Sequence, residues 1–335
     1  MPRGRGVYNR IYTDEKWEKV NPENKGIMDD FLTEYKQQKK SESTLKAYWN
    51  DLRLILVKIM EDFDNKSVLE MSKKDFRRLN LWFDESGMSP ARCNRLHSCI
   101  NSLLTFCEED DDYDYEVNQS KKVKGVPNVK VKTNEDDFFF TFEEFIQVRS
   151  KLIEQDELQK AVMWSLAFDS GARRNEVFQV QKHGLLEGNK TNIVRGKRGK
   201  TFPLVYLDDT KELIKQYLEQ RGDDDIDSLW IIGSGSNKRP LTDSITLYDW
   251  LTGKCNRILQ EIRGEETNIF FHTCRHSRIE SLVQGTDNRL KDENGKNKKF
   301  PLEQVMVLVH HSDVSTTQSY LANHDEDTIN EMFGF

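Results

Sequence analysis

The feature that most constrains this chain is an interruption. Apolar residues recur with helical spacing from residue 27 to about 109, the pattern stops between 110 and 137, and periodic order resumes after Thr141. The simplest reading is two separate cores, and 335 residues suffice for both. Four helices are expected before the break. Ile27, Phe31 and Tyr35 return every four residues, and Ser43 is placed to cap a second helix with Leu45, Tyr48, Leu52, Ile55, Leu56 and Ile59 on one stripe. A third runs from Lys73 to Glu85 and stops at Ser86 and Gly87. Pro90 opens a fourth, whose buried face is Leu96, Ile100, Leu103, Leu104 and Phe106. Four helices of this length close a small bundle.

The interruption is acidic, then basic, and holds Gly125 and Pro127, as a linker does. Its lysines leave contact with a polyanion equally open. Beyond it, Thr141 with Glu143 and Glu144 marks a helix start, and helical patterns follow over 145–152 and 158–168. Residues 192–207 read as a β-hairpin with a basic tip. Helices return from Thr210 and again over 241–262. The expected architecture is mainly α in two domains: an N-terminal extension (1–21), a helical bundle (22–110), a linker (111–137) and an α-rich domain with a small antiparallel β-sheet (138–335).

A net charge of −7 weighs mildly against a nucleic-acid partner, because phosphate neutralisation supplies much of such binding. Distribution matters more than the sum. Acid is concentrated at 108–112, 223–225 and 325–327, whereas Lys121, Lys122 and Lys124, residues 195–200 and residues 289–299 form separate basic clusters. An acidic total is therefore compatible with a basic groove. Cys93, Cys99, Cys107, Cys255 and Cys274 are odd in number and scattered, which fits reduced thiols in the cytoplasm. No apolar run has the length to span a bilayer, and no apolar stretch follows the basic N-terminus as in a signal peptide, so no membrane partner is expected.

Four passages carry the chemistry: Ser170-Gly171-Ala172-Arg173-Arg174-Asn175-Glu176; Gly196-Lys197-Arg198-Gly199-Lys200 with Pro203-Leu204; His272-Thr273-Cys274-Arg275-His276; and His310-His311 through Ser319-Tyr320. In order and spacing they resemble the catalytic domain of the tyrosine recombinases, the phage-integrase and Xer-like family. The first half, with Ser43-Thr44-Leu45-Lys46-Ala47-Tyr48, is similar to that family's core-binding domain.

The resemblance implies a site-specific recombinase or integrase of a mobile element, phage or plasmid that cuts and rejoins DNA through a covalent 3′-phosphotyrosine. Tyr320 is the implied nucleophile, and Arg173 and Arg275 the phosphate clamp, a role suited to a planar, permanently charged fork. His272 is implied to hydrogen-bond the phosphate and assist proton transfer, His311 to hold a non-bridging oxygen, and Glu176 to orient the arginine or histidine groups from behind. Lys197 is the implied general acid, with Lys200 a competing candidate. Arg174 is expected in a surface salt bridge. Lys121, Lys122, Lys124, Arg198 and Lys200 are candidate DNA contacts.

No cofactor is expected: the two-step chemistry conserves bond energy, and no Gly-rich phosphate loop is present. His272, Cys274, His276, His310 and His311 lack the paired short loops of a zinc site, so no metal is expected. The implied partners are double-stranded DNA sites and a homo-tetramer assembled on two of them and weakly associated without DNA. The implied location is the cytoplasm of a prokaryotic or viral host cell, in association with the nucleoid. A topoisomerase, a telomere resolvase and a non-catalytic DNA-binding protein of the same fold are the alternative readings. Two departures stand out: His310 occupies a position where the family usually has Gly, and the interval from Arg275 to His311 is long. The extra length, around 285–300, is expected to form a surface loop or short hairpin.

Overall fold

The computed structural model describes residues 11–127 and 139–310. The chain divides into two compact units, 1–131 and 132–335, each with its own apolar core.

In the first unit, α1 (Asp14–Glu18) precedes four longer helices: α2 (Pro22–Gln37), α3 (Glu42–Asp62), α4 (Lys73–Glu85) and α5 (Pro90–Glu109). Their starts follow from local chemistry. The Ser72 hydroxyl oxygen accepts from the Asp75 backbone N–H while the Asp75 carboxylate accepts from the Ser72 N–H, and Pro90 follows the capping Ser89. The cap of α3 is Ser41 and not the expected Ser43. Ser41 has extended backbone and accepts from the Thr44 N–H at 3.2 Å, which puts Ser43 inside the first turn. The stripes meet as expected: Ile27, Phe31, Leu52, Ile55, Leu56, Phe76, Phe83, Leu96 and Leu103 are buried together. The buried Asp51 carboxylate is held by Arg92 at 2.7 Å and Arg95 at 2.8 Å, so α3 and α5 are pinned by charge as well as by packing.

Residues 110–127, in the stretch read as a spacer, lie along α5. Asn118 is buried and its amide donates to the Asn101 carbonyl and to Thr105 Oγ1, both at 3.1 Å. Tyr115 is buried as well, and the Val126 carbonyl accepts from Asn94 at 2.8 Å.

The second unit is built on α6 (Phe142–Glu154) and α7 (Leu158–Ser170). Every residue of α7 from Ala161 to Ser170 is buried, which makes it the central helix of the unit. Phe145 stacks on Phe168 at 4.0 Å, and Trp164 donates its indole N–H to the Phe145 carbonyl at 3.0 Å. After α8 (Arg174–Phe178) comes the expected hairpin, β1 (Lys190–Arg195) against β2 (Thr201–Val205), antiparallel with Val194 opposite Phe202. α9 (Asp208–Arg221) follows, then a second two-stranded pair, β3 (Ile231–Ile232) with β4 (Arg239–Pro240).

The helix expected over 241–262 starts later. Leu241 donates its N–H to the Trp230 carbonyl at 3.1 Å and so continues the strand pairing past Pro240. α10 (Ile245–Asp249) then passes through a wider π turn at Trp250–Cys255, with Gly253 inside it, into α11 (Asn256–Arg263). α12 (Phe271–Gln284) and α13 (Leu302–Leu308) complete the described part. Between them residues 285–300 form the expected hairpin, with Lys291 bridged to Asn297. Among the described residues no helix is long and apolar enough to cross a membrane.

Candidate active site

The site is assembled where α7 ends. Gly171 takes the left-handed conformation, φ 56°, and a Cβ there would lie 3.0 Å from Val309 Cγ1, so a glycine serves both the turn and the close approach. The chain then runs extended through Arg173 into α8. Glu176, 2% exposed, accepts the Arg173 backbone N–H at 2.7 Å and the Arg173 guanidinium at 3.0 Å. One buried carboxylate thus caps the helix and aims the arginine.

Arg275 comes from the first half of α12 and is 1% exposed. Its guanidinium donates to the Gly171 carbonyl at 2.7 Å and to the Val309 carbonyl, joining the ends of α7 and α13. His272, one turn earlier, opens onto an adjoining cavity. Protein crowded around its ring pushes its pKa below the ordinary value, with Arg275, Arg173 and Lys197 adding to the shift and Glu176 opposing it.

His310 has φ 55°, the left-handed conformation that makes glycine the usual choice there. Its ring stacks on Phe202 at 3.5 Å, and its carbonyl accepts from Lys200 at 3.5 Å. Burial, with Arg275, Lys200 and Arg173, holds its pKa low against the pull of Glu176. Gly196 underlies the same stack, since a Cβ there would fall 2.7 Å from the Phe202 ring and 3.1 Å from Glu176 Oε1. Lys197 and Lys200 are both exposed on the turn between β1 and β2.

A cavity of about 380 Å³ lies beside the cluster, lined by Arg173, His272 and Arg275 on one side and by Arg174, Tyr248 and Phe270 on another. Arg174, expected in a surface salt bridge, has no ion-pair partner among the described residues. Its guanidinium lies 5.5 Å from the Tyr248 ring. Tyr248 and Phe270 were missed by sequence reasoning, as no motif marks them. Their rings stack at 6.1 Å, with Phe270 36% exposed, an unusual position for a phenylalanine. Chemically the arrangement is an anion cradle with an aromatic wall, able to grip a phosphate and to cover the apolar group attached to it.

Other expectations fall elsewhere. His311 and Tyr320 lie outside the described residues, as does the side chain of Arg198. Lys121, Lys122 and Lys124 belong to the first unit: Lys121 pairs with Glu108 at 2.5 Å, Lys122 donates to Gln119 at 3.2 Å, and Lys124 is exposed. Cys274 is buried in the core, its thiol pKa pushed well up by burial, and His276 packs against Phe139. Among the described residues no three His, Cys, Asp or Glu side chains gather to hold a metal ion.

The profile described as "Phage integrase family" matches residues 140–327. The SPbeta prophage-derived recombinase-like protein YomM of Bacillus subtilis (strain 168) is 26% identical over 349 residues, covering 99% of this chain and 97% of that protein. Tyrosine recombinase XerC of Treponema denticola is 21% identical over 84% of this chain and 88% of its own. Among solved structures, a lambda integrase tetramer bound to a Holliday junction shares the fold with a TM-score of 0.63 at 13% identity, over 96% of this chain and 80% of that one. With the family profile matched over more than half its length, the chain belongs to the phage integrase family, the tyrosine site-specific recombinases.

Proposed function

We propose that this protein cuts and rejoins duplex DNA at specific sites through a 3′-phosphotyrosine on Tyr320, in the service of a mobile element. The observation that carries the reading is the joint geometry of Arg173 and Arg275: two guanidiniums on separate elements, each held from behind by protein, flank one cavity with His272 on its wall.

In this reading the Tyr320 hydroxyl gives up its proton, with His272 assisting the transfer, and its oxygen attacks phosphorus as the bond to the 5′-oxygen breaks. The departing oxygen takes its proton from Lys197 or Lys200 on the β1–β2 turn. Arg173, Arg275, His272 and His311 stabilise the charge that accumulates on the phosphoryl oxygens, and Glu176 keeps Arg173 aligned. The reverse step restores the backbone, with no net change in the number of phosphodiester bonds. Lys121, Lys122, Lys124, Arg198 and Lys200 add phosphate contacts. Residues 22–110 serve as the core-binding domain and 138–335 as the catalytic domain. The prophage origin in the name of the B. subtilis relative supports a mobile-element role, and the lambda integrase tetramer on its junction supports a homo-tetramer on two DNA sites.

The test is to incubate the protein with nicked duplexes spanning the sequences that flank its own gene. A protein–DNA adduct that survives denaturation is expected, and it should be absent with Tyr320→Phe. Removing a charge-stabilising arginine, as in Arg173→Ala, should slow adduct formation by about 10²–10³. An adduct that persists in Tyr320→Phe would assign the nucleophile to another residue. DNA binding without any adduct would favour the non-catalytic reading.

A further inference from the structure

The hairpin at 285–300, the extra length in the catalytic half, is exposed at its tip and buried at its root. The turn closes at 292–296, with Asp292 and Lys296 paired through their backbones. Asp287 at the base is 2% exposed. It accepts from Arg278 at 2.5 Å and from Arg289 at 2.9 Å. Arg289 then turns inward to Asp169 at 2.7 Å and to both oxygens of Asp209 at 3.1 Å, and Arg149 closes the far side of Asp209. The root therefore binds α6, α7, α9 and α12 together.

The network reaches the candidate site through Arg278. Arg278 lies one turn along α12 from Arg275 and donates to the Asp169 carbonyl at 3.2 Å, just as Arg275 donates to the Gly171 carbonyl at 2.7 Å. Arg173 begins two residues after Gly171. The spacing between the helix that carries Arg275 and the segment that carries Arg173 is thus set by two arginines side by side, the second of them anchored by the hairpin root.

Three arginines face three aspartates in this network, so its charge balances. A buried network of this kind adds little stability over apolar packing of equal volume, but its bonds are directional and hold one geometry. We infer that Asp287 and Arg289 are positioning residues, which hold Arg278 and Asp169 so that Arg173 and Arg275 converge on one phosphate. This rests on the clamp role given to those two arginines under Proposed function. Neither Asp287 nor Arg289 lines the cavity.

The test is single-turnover cleavage of the nicked duplex, at saturating DNA and well below the melting temperature of each variant. Amplitude reports the folded fraction, and the rate constant reports the geometry of the folded site. Asp287→Asn and Arg289→Met should lower the rate constant by about 10-fold or more at unchanged half-saturating DNA, since sub-ångström to ångström misplacement carries losses of that order. Arg289→Lys, which keeps the charge but loses the fork, is the milder variant and should fall between. Replacing residues 292–296 by two glycines should leave the rate constant within about twofold, as the tip touches none of the network. A lowered amplitude with an unchanged rate constant would reduce the network to scaffold and overturn the inference. Equal slowing by the tip replacement would overturn it too. Arg275→Ala separates the layers: a wild-type rate in that variant removes the clamp reading, and this inference with it.

Discussion

His310 shows how a single residue adjusts to a position shaped for another. A left-handed backbone costs a side-chain-bearing residue about 1–2 kcal/mol, and the stack on Phe202 returns about 0.5–1.5 kcal/mol. His310→Gly removes both terms, so its unfolding free energy in urea should stay within about 1 kcal/mol of wild type. His310→Ala keeps the strain and loses the ring, and should be less stable by about 1 kcal/mol. The imidazoles add a pH dependence of known sign. His272 and His310 have lowered pKa values, burial being the first cause, so near neutrality the unfolded chain binds more protons than the folded one. Their contribution to stability is complete above about pH 6.5 and is lost as pH falls through the folded values. Unfolding curves taken down to about pH 5 should show that loss, and His310→Ala should flatten it.

At the scale of elements, the helices of the first unit are written in short range. Ser72 and Asp75 start α4, Ser89 caps α5 by accepting from the Arg92 N–H, and these bonds join residues three apart, so a sequence displays them. Burial alone would raise the Asp75 carboxyl, but hydrogen bonds from Lys66, the Ser72 N–H and the Ser72 hydroxyl bring it down to about 2. A depressed carboxyl stabilises the fold above its unfolded value, near pH 4, and the gain is lost as pH falls through about 2. Asp75→Asn should therefore cost about 1–2 kcal/mol at neutral pH, and the gap to wild type should close in acid, as read by denaturant unfolding at both pH values. The β1–β2 hairpin was equally legible, since a basic turn between apolar runs is a local signal. The late start of α10 was not, because what withholds Leu241 from the helix is a bond to Trp230, the residue just before β3.

For the molecule as a whole, the two apolar clusters share no residue, and each is large enough to drive folding. Residues 132–335 expressed alone should accordingly give a helical circular dichroism spectrum and one cooperative thermal transition; a non-cooperative melt would show that this unit needs the other. By itself the sequence determined the helical class of both halves, the hairpin, and the residue types of the phosphate-gripping passages, because periodicity, caps and motifs are short-range patterns. Tertiary structure alone decided that Tyr248 and Phe270 would wall one cavity and that Asn118 would lie against α5. It alone decided, too, that Arg289 would reach Asp169 across 120 residues of chain. The physical reason is the same in each case: such contacts exist only once helices have packed and the chain has returned on itself, and no local propensity encodes which distant carboxylate or ring will be waiting there.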